Sequence, residues 1–174
     1  MANDSRRNQY DKRDSLELGD SAEARFKLLA LKRGWIATVA SPRANIDEHW
    51  DFSIRNGNEK YRVDVKGLKR TRRGDIGLQD DWAWIEFHGV RPNERGWLYD
   101  GKADLLAFER RKTFVIVKRV DLIELCNRLV NFDARVQSAH EAKYKVYTRR
   151  NRPDLLSQIE LSKIESIAWA SWEK

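Results

Sequence analysis

Two aspartates and a lysine stand in a pattern that suits metal-assisted chemistry at a phosphate. Asp51 lies in HWDFSIR, and Asp64 and Lys66 lie in KYRVDVKG a little further along the chain. Neighbouring carboxylates repel each other unless a positive charge sits between them, and Mg²⁺ prefers carboxylate oxygen. A metal held in this way polarises a phosphate and activates a bound water, while an amine orients that water or stabilises developing negative charge.

A β-hairpin is expected to bring these three side chains together. The dipeptide Asn56-Gly57 between the two stretches is a strong hairpin signal. With this pair as the turn, Asp64 is the diagonal neighbour of Asp51 on one face, about 7–8 Å away at most. With Gly57-Asn58 as the turn, the two aspartates are direct neighbours. Lys66 shares their face in either register, because side chains alternate along a strand.

The same pattern has a purely structural alternative. Asp51, Arg62, Asp64 and Lys66 could form a ladder of salt bridges on a solvated sheet. The pattern alone does not separate this ladder from a metal site.

The order of these motifs resembles that of a known family. WDF, then a hairpin, then YRVDVKG is similar to the core of the PD-(D/E)xK nuclease superfamily, which includes restriction enzymes and Holliday junction resolvases. The signature is an Asp at the start of one strand and, in the next strand, Asp or Glu, any residue, and Lys. Asp51, Asp64 and Lys66 occupy those positions, and Trp50 replaces the proline of the family name. The resemblance covers roughly residues 20–110.

The resemblance implies a Mg²⁺-dependent endodeoxyribonuclease, with Mn²⁺ as a substitute metal, in which water attacks phosphorus in line. Asp51 and Asp64 would bind the metal, together with the main-chain carbonyl of Val65, and Lys66 would position the water. It also implies an acidic ligand from a helix before the hairpin, and Glu23 matches that position. Glu23 has a structural explanation as well, since it stands three residues after Asp20 and could complete a capping box.

A basic loop follows the second strand of the hairpin. The chain carries 34 Lys and Arg against 27 Asp and Glu, a net charge of +7, with clusters at 66–73, 110–113 and 148–152. In the nuclease interpretation Lys69, Arg70, Arg72 and Arg73 contact phosphates that flank the cut. Their alternative is a solvated loop. DNA is the expected partner, and RNA is not excluded because phosphate contacts do not distinguish the sugars.

Other side chains near the motif have weaker functional interpretations. Glu86 could lie beside the metal site, although exposure to solvent is the simpler expectation. Trp82 and Trp84 could stack on unpaired bases, but core packing is more common for alternating Trp. His88 is expected to be a hydrogen-bond partner in a loop. The three histidines are too scattered for zinc, and Cys126 is expected to be buried.

Two rival functions stay open. One is a structure-selective Holliday junction resolvase, which would share the same catalytic residues. The other is a non-catalytic module that binds nucleic acid, with the acidic hairpin serving only as a salt-bridge network. A homodimer is expected for an enzyme that cuts both strands, although the sequence shows no interface signature.

The elements that would position these residues can be outlined from hydrophobic patterning. Residues 1–19 are expected to be a loose polar tail and 20–174 a single domain. An amphipathic helix is predicted over about 21–33, with Asp20 as its N-cap and Gly34 as its stop, and a second helix over 120–130. Six or more strands are expected between 35 and 150, followed by a C-terminal segment of short helices. The order predicts an α/β fold with a central mixed sheet flanked by helices. No apolar run is long enough to cross a bilayer and no secretory signal is evident, so a cytoplasmic protein is expected.

Overall fold

The computed structural model describes residues 4–72, 75–90 and 93–174, without the side chains of residues 4–15. The helices are α1 (Asp4–Lys32), α2 (Pro42–Glu48), α3 (Trp97–Asp100), α4 (Arg119–Leu129) and α5 (Leu161–Glu165), with a 3₁₀ turn at Ala139–Glu141. The strands are β1 (Ile36–Val39), β2 (Phe52–Asn56), β3 (Glu59–Lys66), β4 (Trp82–His88), β5 (Leu105–Glu109), β6 (Thr113–Lys118), β7 (Asn131–Val136), β8 (Lys145–Thr148), β9 (Leu155–Glu160) and β10 (Ala170–Glu173).

The strands form two mixed sheets, and the predicted α/β fold is confirmed. The larger sheet has the order β1-β2-β3-β5-β6-β10, with β3 and β5 parallel and the other neighbours antiparallel. The smaller sheet has the order β4-β9-β8-β7, with β7 and β8 parallel. The strand predicted at DWAWIEFHG is present as β4, but it lies in this smaller sheet rather than in the central one.

Both faces of the larger sheet are covered. One face buries Val63 and Val65 against Phe26 and Ala22 of α1, and the opposite face buries Leu106 and Phe108 in a core shared with α4 and the smaller sheet. Strand β5 is buried along its whole length, as expected for a central strand between two layers.

The N-terminal helix is longer than the sequence predicts. It runs from Asp4 rather than from Ser21, so much of the segment assigned to a loose tail is helical. Asp20 is therefore inside the helix, and its predicted N-cap role and capping box with Glu23 are wrong. Residues 4–18 contain no Gly or Pro and many good helix formers. The helix therefore extends on the N-terminal side of Gly19 as well. The predicted stop is confirmed, since Gly34 has a φ of 79°.

The C-terminal segment differs from the prediction of short helices. It contains β9 and β10 on either side of the short α5. Strand β9 lacks simple alternation because the polar residues Ser157 and Gln158 are both buried. Strand β10 is fixed by pairing with β6, with Trp172 opposite Phe114. Tertiary pairing decides strand formation in both cases, which single-sequence patterning does not register.

Among the described residues, no helix is both long and apolar enough to cross a membrane.

Candidate active site at the end of the β2–β3 hairpin

The hairpin register brings Asp51 and Asp64 side by side. Phe52 pairs with Val63 and Asn56 pairs with Glu59, so the turn consists of Gly57 and Asn58. The predicted Asn56-Gly57 turn is wrong, and the alternative register is confirmed. The reason lies in the turn geometry, because Gly57 supplies a φ of 57° at the first turn position.

Asp51 is held in place by two short hydrogen bonds. It lies just before β2, and its backbone N–H donates to the carbonyl of Val63 at 2.8 Å. The side-chain amide of Asn45 on α2 donates to Oδ1 at 2.6 Å, and the Val65 N–H donates to Oδ2 at 2.6 Å. The residue is 8% exposed. Beyond the end of β2, the Asp51 carboxylate therefore accepts the hydrogen bond from Val65 of β3 that a backbone carbonyl would otherwise accept.

Asp64 has one close cationic neighbour. The residue is 5% exposed, and its Oδ2 lies 2.6 Å from Lys66 Nζ. Apart from this ion pair, no hydrogen-bond donor among the described residues reaches that buried oxygen. The Lys66 ammonium also lies 4.2 Å from the centroid of the Trp97 ring. Lys66 is thus fixed between a carboxylate and an aromatic face.

The solvated salt-bridge ladder is not what the structure forms. Arg62 pairs with Asp104, with 3.4 Å between Nη2 and Oδ1, rather than with Asp51 or Asp64. The two hairpin aspartates are buried instead of solvated. Burial of two like charges is costly without a compensating cation, and the Lys66 ammonium supplies one positive charge for the pair.

Burial raises the pKa values of both hairpin aspartates. Burial, followed by the charge of Asp64, raises the pKa of Asp51 from 3.8 to about 6, against the opposing Val65 hydrogen bond and Lys66 charge. Burial also raises the pKa of Asp64, and Lys66 opposes this. Lys66 alone does not offset the cost of ionising both carboxyl groups.

Glu23 adjoins this pair from α1. Burial, followed by the charges of Asp51 and Asp20, raises its pKa from 4.5 to about 7, while Lys66 lowers it. The structure thus brings the helix acid that the sequence singled out into electrostatic contact with the hairpin acids. The helix can approach β3 closely because a glycine follows Lys66. A β-carbon at Gly67 would lie 3.0 Å from Ala22 Cβ and 3.2 Å from the carbonyl oxygen of Leu18.

The carboxylates of this site supply some, but not all, of the ligands that a hard divalent cation needs. Across the described residues, no three His, Cys, Asp or Glu side chains are already arranged around one point. Two buried neighbouring carboxylates, one of them paired with Lys66, still fit Mg²⁺, which commonly takes one or two carboxylates and keeps several waters. Val65 lies between Asp64 and Lys66, and a ligand role for its carbonyl stays a prediction.

A cavity of about 680 Å³ opens beside the acidic pair. Lys66 lines it, and so do three of the basic residues predicted to contact nucleic acid, namely Lys69, Arg70 and Arg72. The fourth, Arg73, lies outside the described residues. Lys69 is exposed as a residue, yet burial of its ammonium and the charge of Lys66 lower its pKa. The basic loop therefore borders the acids closely.

Glu86 also lines this cavity rather than facing open solvent. Burial raises its pKa, while the charge of Lys66 and a hydrogen bond from the Trp97 N–H lower it. The expectation of exposure is therefore wrong, because β4 packs its alternate residues on the cavity face. Trp82 and Trp84 are half-buried on the same cavity wall, while Ala83, Ile85 and Phe87 carry the core packing.

His88 and Cys126 have the surroundings that the sequence predicts. His88 Nδ1 lies 2.7 Å from the Gly89 carbonyl, which confirms a loop hydrogen bond, and Cys126 is buried. Two site residues were missed by sequence reasoning, Asn45 and Trp97. Asn45 had a signal in the Ser41-Pro42 start of α2, where Ser41 Oγ accepts from the Ala44 N–H at 3.2 Å. Nothing local pointed to Trp97, which reaches Lys66 from another part of the chain.

Comparison of the chain with models of known protein families, with curated proteins and with solved structures found no match.

Proposed function

We propose that this protein is a metal-dependent endonuclease that hydrolyses phosphodiester bonds of DNA. The observation that carries the proposal is the pair of buried, adjacent carboxylates of Asp51 and Asp64, with Lys66 2.6 Å from Asp64 and lining a cavity with basic residues. This combination places carboxylate ligands, an amine and phosphate-binding groups within one site. The PD-(D/E)xK resemblance of the sequence points to the same chemistry.

The metal would be held by Asp51 and Asp64, with Glu23 as a further acidic group. A Mg²⁺ ion held there would polarise the phosphate and lower the pKa of a coordinated water. Asn45 and the Val65 N–H orient the Asp51 carboxylate so that its remaining lone pairs can face the ion. Outer hydrogen bonds of this kind commonly tune metal affinity by about 10–100-fold.

Lys66 has the position expected of a residue that orients water or stabilises charge. Its ammonium is confined by Asp64 and the Trp97 ring, so it is preorganised instead of sampling many rotamers. In the proposed reaction it holds the attacking water, and the bond between phosphorus and the leaving oxygen breaks as the new P–O bond forms. Lys69, Arg70 and Arg72 hold the flanking phosphates.

A cleavage assay with matched variants tests the proposal. Supercoiled plasmid is incubated with the protein in Mg²⁺, in Mn²⁺ or in a chelator. Wild type should nick the plasmid only with metal, and Asp64→Asn and Lys66→Met should each lose about 100-fold or more of the rate. Lys60→Met is the control, since Lys60 is exposed on the same strand.

The outcomes also separate the rival functions. Equal rates for wild type and Lys66→Met would refute the assigned site, as would metal-independent cleavage. A four-way junction cut in preference to linear duplex would favour a resolvase. Binding of DNA without cleavage, and without Mg²⁺ or Mn²⁺ binding by calorimetry, would favour the non-catalytic module. An RNA strand tested in parallel decides between the two nucleic acids.

A further inference from the structure

We propose that the cavity beside the acidic pair binds an unpaired nucleotide, so that the substrate is DNA with a single-stranded segment next to the cut. This inference rests on the proposed function and deepens it by naming the class of substrate. It is carried by the position of the cavity, its aromatic wall and the cations that line it from two segments of the chain.

The cavity is lined both by Lys66, which pairs with Asp64, and by a second basic segment. Lys66 and Glu86 line one part of it, and Arg149, Arg150 and Arg152 of the segment after β8 line another. Its volume, about 680 Å³, is within the usual range for small-molecule sites, roughly 300–1,000 Å³. A strand with its scissile phosphate at Asp64 would therefore have room for an adjacent nucleotide between the two sheets.

The wall contributed by the smaller sheet is aromatic. The Trp84 and Tyr147 rings are half-buried, with centroids 5.5 Å apart and planes at 48°. Trp84 Nε1 donates to the Arg70 carbonyl at 3.4 Å, which fixes the indole relative to the basic loop. Trp82 lines the same wall and packs against Tyr144.

An aromatic wall of this kind suits an unpaired base more than a paired one. Bases within a duplex have both faces covered by their neighbours, so only an unpaired base can offer a face to a side wall. Stacking on aromatic side chains tolerates any base, because every base has a π face. The wall therefore selects the geometry of the strand without reading its sequence.

The basic residues that line the cavity complement a phosphodiester backbone. Lys69, Arg70 and Arg72 line the cavity from the segment that follows β3, and Arg149, Arg150 and Arg152 line it from the segment after β8. Arg149 there is anchored by an ion pair with the buried Asp154, which holds this segment close to the sheet. Phosphates on both sides of a bound base would thus meet cations, as in proteins that bind single strands.

Binding measured in a chelator tests the cavity separately from cleavage. Fluorescence anisotropy is recorded for a blunt duplex, the same duplex with a single-stranded overhang, and single strands of DNA and RNA. Wild type should bind the overhang about 10-fold or more tightly than the blunt duplex, and Trp84→Ala should abolish that preference. Trp84→Phe should retain most of it, because it keeps an aromatic face.

The control is Trp169→Ala, which removes a half-buried indole on the other face of the larger sheet, where Trp169 packs with Trp35 and Tyr61. This variant should keep the preference for the overhang. Equal binding of blunt and overhanging duplexes, or a preference that survives Trp84→Ala, would overturn the inference. Tighter binding of the RNA strand than of the DNA strand would overturn the assignment to DNA.

A second measurement needs no variant. An overhang carrying 5-iododeoxyuridine is crosslinked by light to the wild-type protein, and the adducts are located by mass spectrometry. Adducts are expected on Trp82, Trp84 or Tyr147, and adducts confined to other regions would refute the cavity as the site. Failure of the nuclease proposal looks different, since a protein that binds overhangs through Trp84 but cuts none of the substrates refutes only the proposed activity.

Discussion

At the scale of single residues, the position of Asp51 depends on donors from two separate elements. The amide of Asn45 comes from α2, and the N–H of Val65 comes from β3. The two bonds fix both carboxylate oxygens, so the direction of the remaining lone pairs is determined before any ligand arrives. The side chain of Asn45 therefore acts as a positioning group for Asp51.

Removing the Asn45 amide should weaken the site without unfolding the protein. We expect Asn45→Ala to reduce Mg²⁺ affinity by about 10–100-fold, because the Asp51 carboxylate loses its orientation. Calorimetric titration measures this, and the cleavage rate at saturating Mg²⁺ should recover in large part. Asn127→Ala serves as the control, since that amide accepts from Tyr99 outside the site. Unchanged metal affinity in Asn45→Ala would refute the positioning role.

The raised pKa values of the acids predict how stability depends on pH. Asp51 has a pKa of about 6 and Glu23 of about 7, against ordinary values of 3.8 and 4.5. The folded protein without metal therefore binds protons more tightly than the unfolded chain. The stability gained from these protons is present at low pH and is lost as pH rises through about 6 and about 7.

In a chelator, Tm should therefore fall by a few °C between about pH 5 and about pH 8, and Asp51→Asn should flatten this slope. Added Mg²⁺ should raise Tm more at the higher pH, because protons no longer compete for the carboxylates. Thermal unfolding followed by circular dichroism measures both effects. Glu124→Gln on α4 is the control. Identical slopes for wild type and Asp51→Asn would contradict the prediction.

The sequence predicted the site residues of the hairpin but not the side chains that contact them. The shared face of Asp51, Asp64 and Lys66 follows from strand alternation and an even turn, both of which are local. The contacts of Asn45 with Asp51 and of Trp97 with Lys66 join distant parts of the chain. No periodicity within one element encodes such contacts, so they required the fold.

At the scale of elements, the approach of α1 to the end of β3 controls the third acid of the site. Glu23 follows Ala22, and Ala22 is the side chain closest to a β-carbon built at Gly67. The helix and the strand therefore touch where a larger residue would force them apart. The distance of Glu23 from the hairpin acids depends on that contact.

A methyl group at position 67 should consequently disturb both packing and activity. In Gly67→Ala the new β-carbon lies 3.0 Å from Ala22 Cβ, so α1 or β3 must shift. We expect a loss of about 1 kcal/mol or more in unfolding free energy, together with a lower cleavage rate. Urea denaturation and the plasmid assay measure these. Gly77→Ala is the matched control, since its added carbon would meet nothing within 4 Å.

Element boundaries were predictable only where the signals were local. Gly34 ends α1 as its position suggested, because a left-handed residue terminates a helix whatever surrounds it. The start of α1 was missed because a polar segment without hydrophobic periodicity has the same composition in a helix as in a disordered tail. Strand β9 was missed because most of its pairing is with β4, and β10 because it pairs with β6, and both of these partners lie far away in sequence.

At the scale of the whole molecule, Glu109 joins three distant segments. It is 3% exposed, and its Oε1 accepts from Arg25 Nε on α1 and from Lys174 Nζ, each at 2.7 Å. Its Oε2 accepts from the Leu68 N–H at 3.3 Å. Burial raises the pKa of Glu109, but these hydrogen bonds outweigh it, so the pKa lies below its ordinary value.

Neutralising this carboxylate should destabilise the fold near neutral pH. We expect Glu109→Gln to lose about 1–2 kcal/mol of unfolding free energy, since Arg25 and Lys174 lose a charged acceptor. The loss should shrink as pH falls through the depressed pKa of Glu109, because the wild-type carboxylate is then protonated too. Urea denaturation at several pH values measures this. A loss that does not vary with pH would point to packing rather than charge.

Val65 couples the correct register of the hairpin to the geometry of the proposed active site. Its N–H binds Asp51, its side chain lies under α1, and its neighbours in sequence are the other two hairpin residues of the site. Slippage by one residue would turn the valines outward and the acids into the hydrocarbon interior. Immature or misassembled chains would thus lack the proposed active site, and a cell making this protein would meet the proposed nuclease activity only in correctly completed copies.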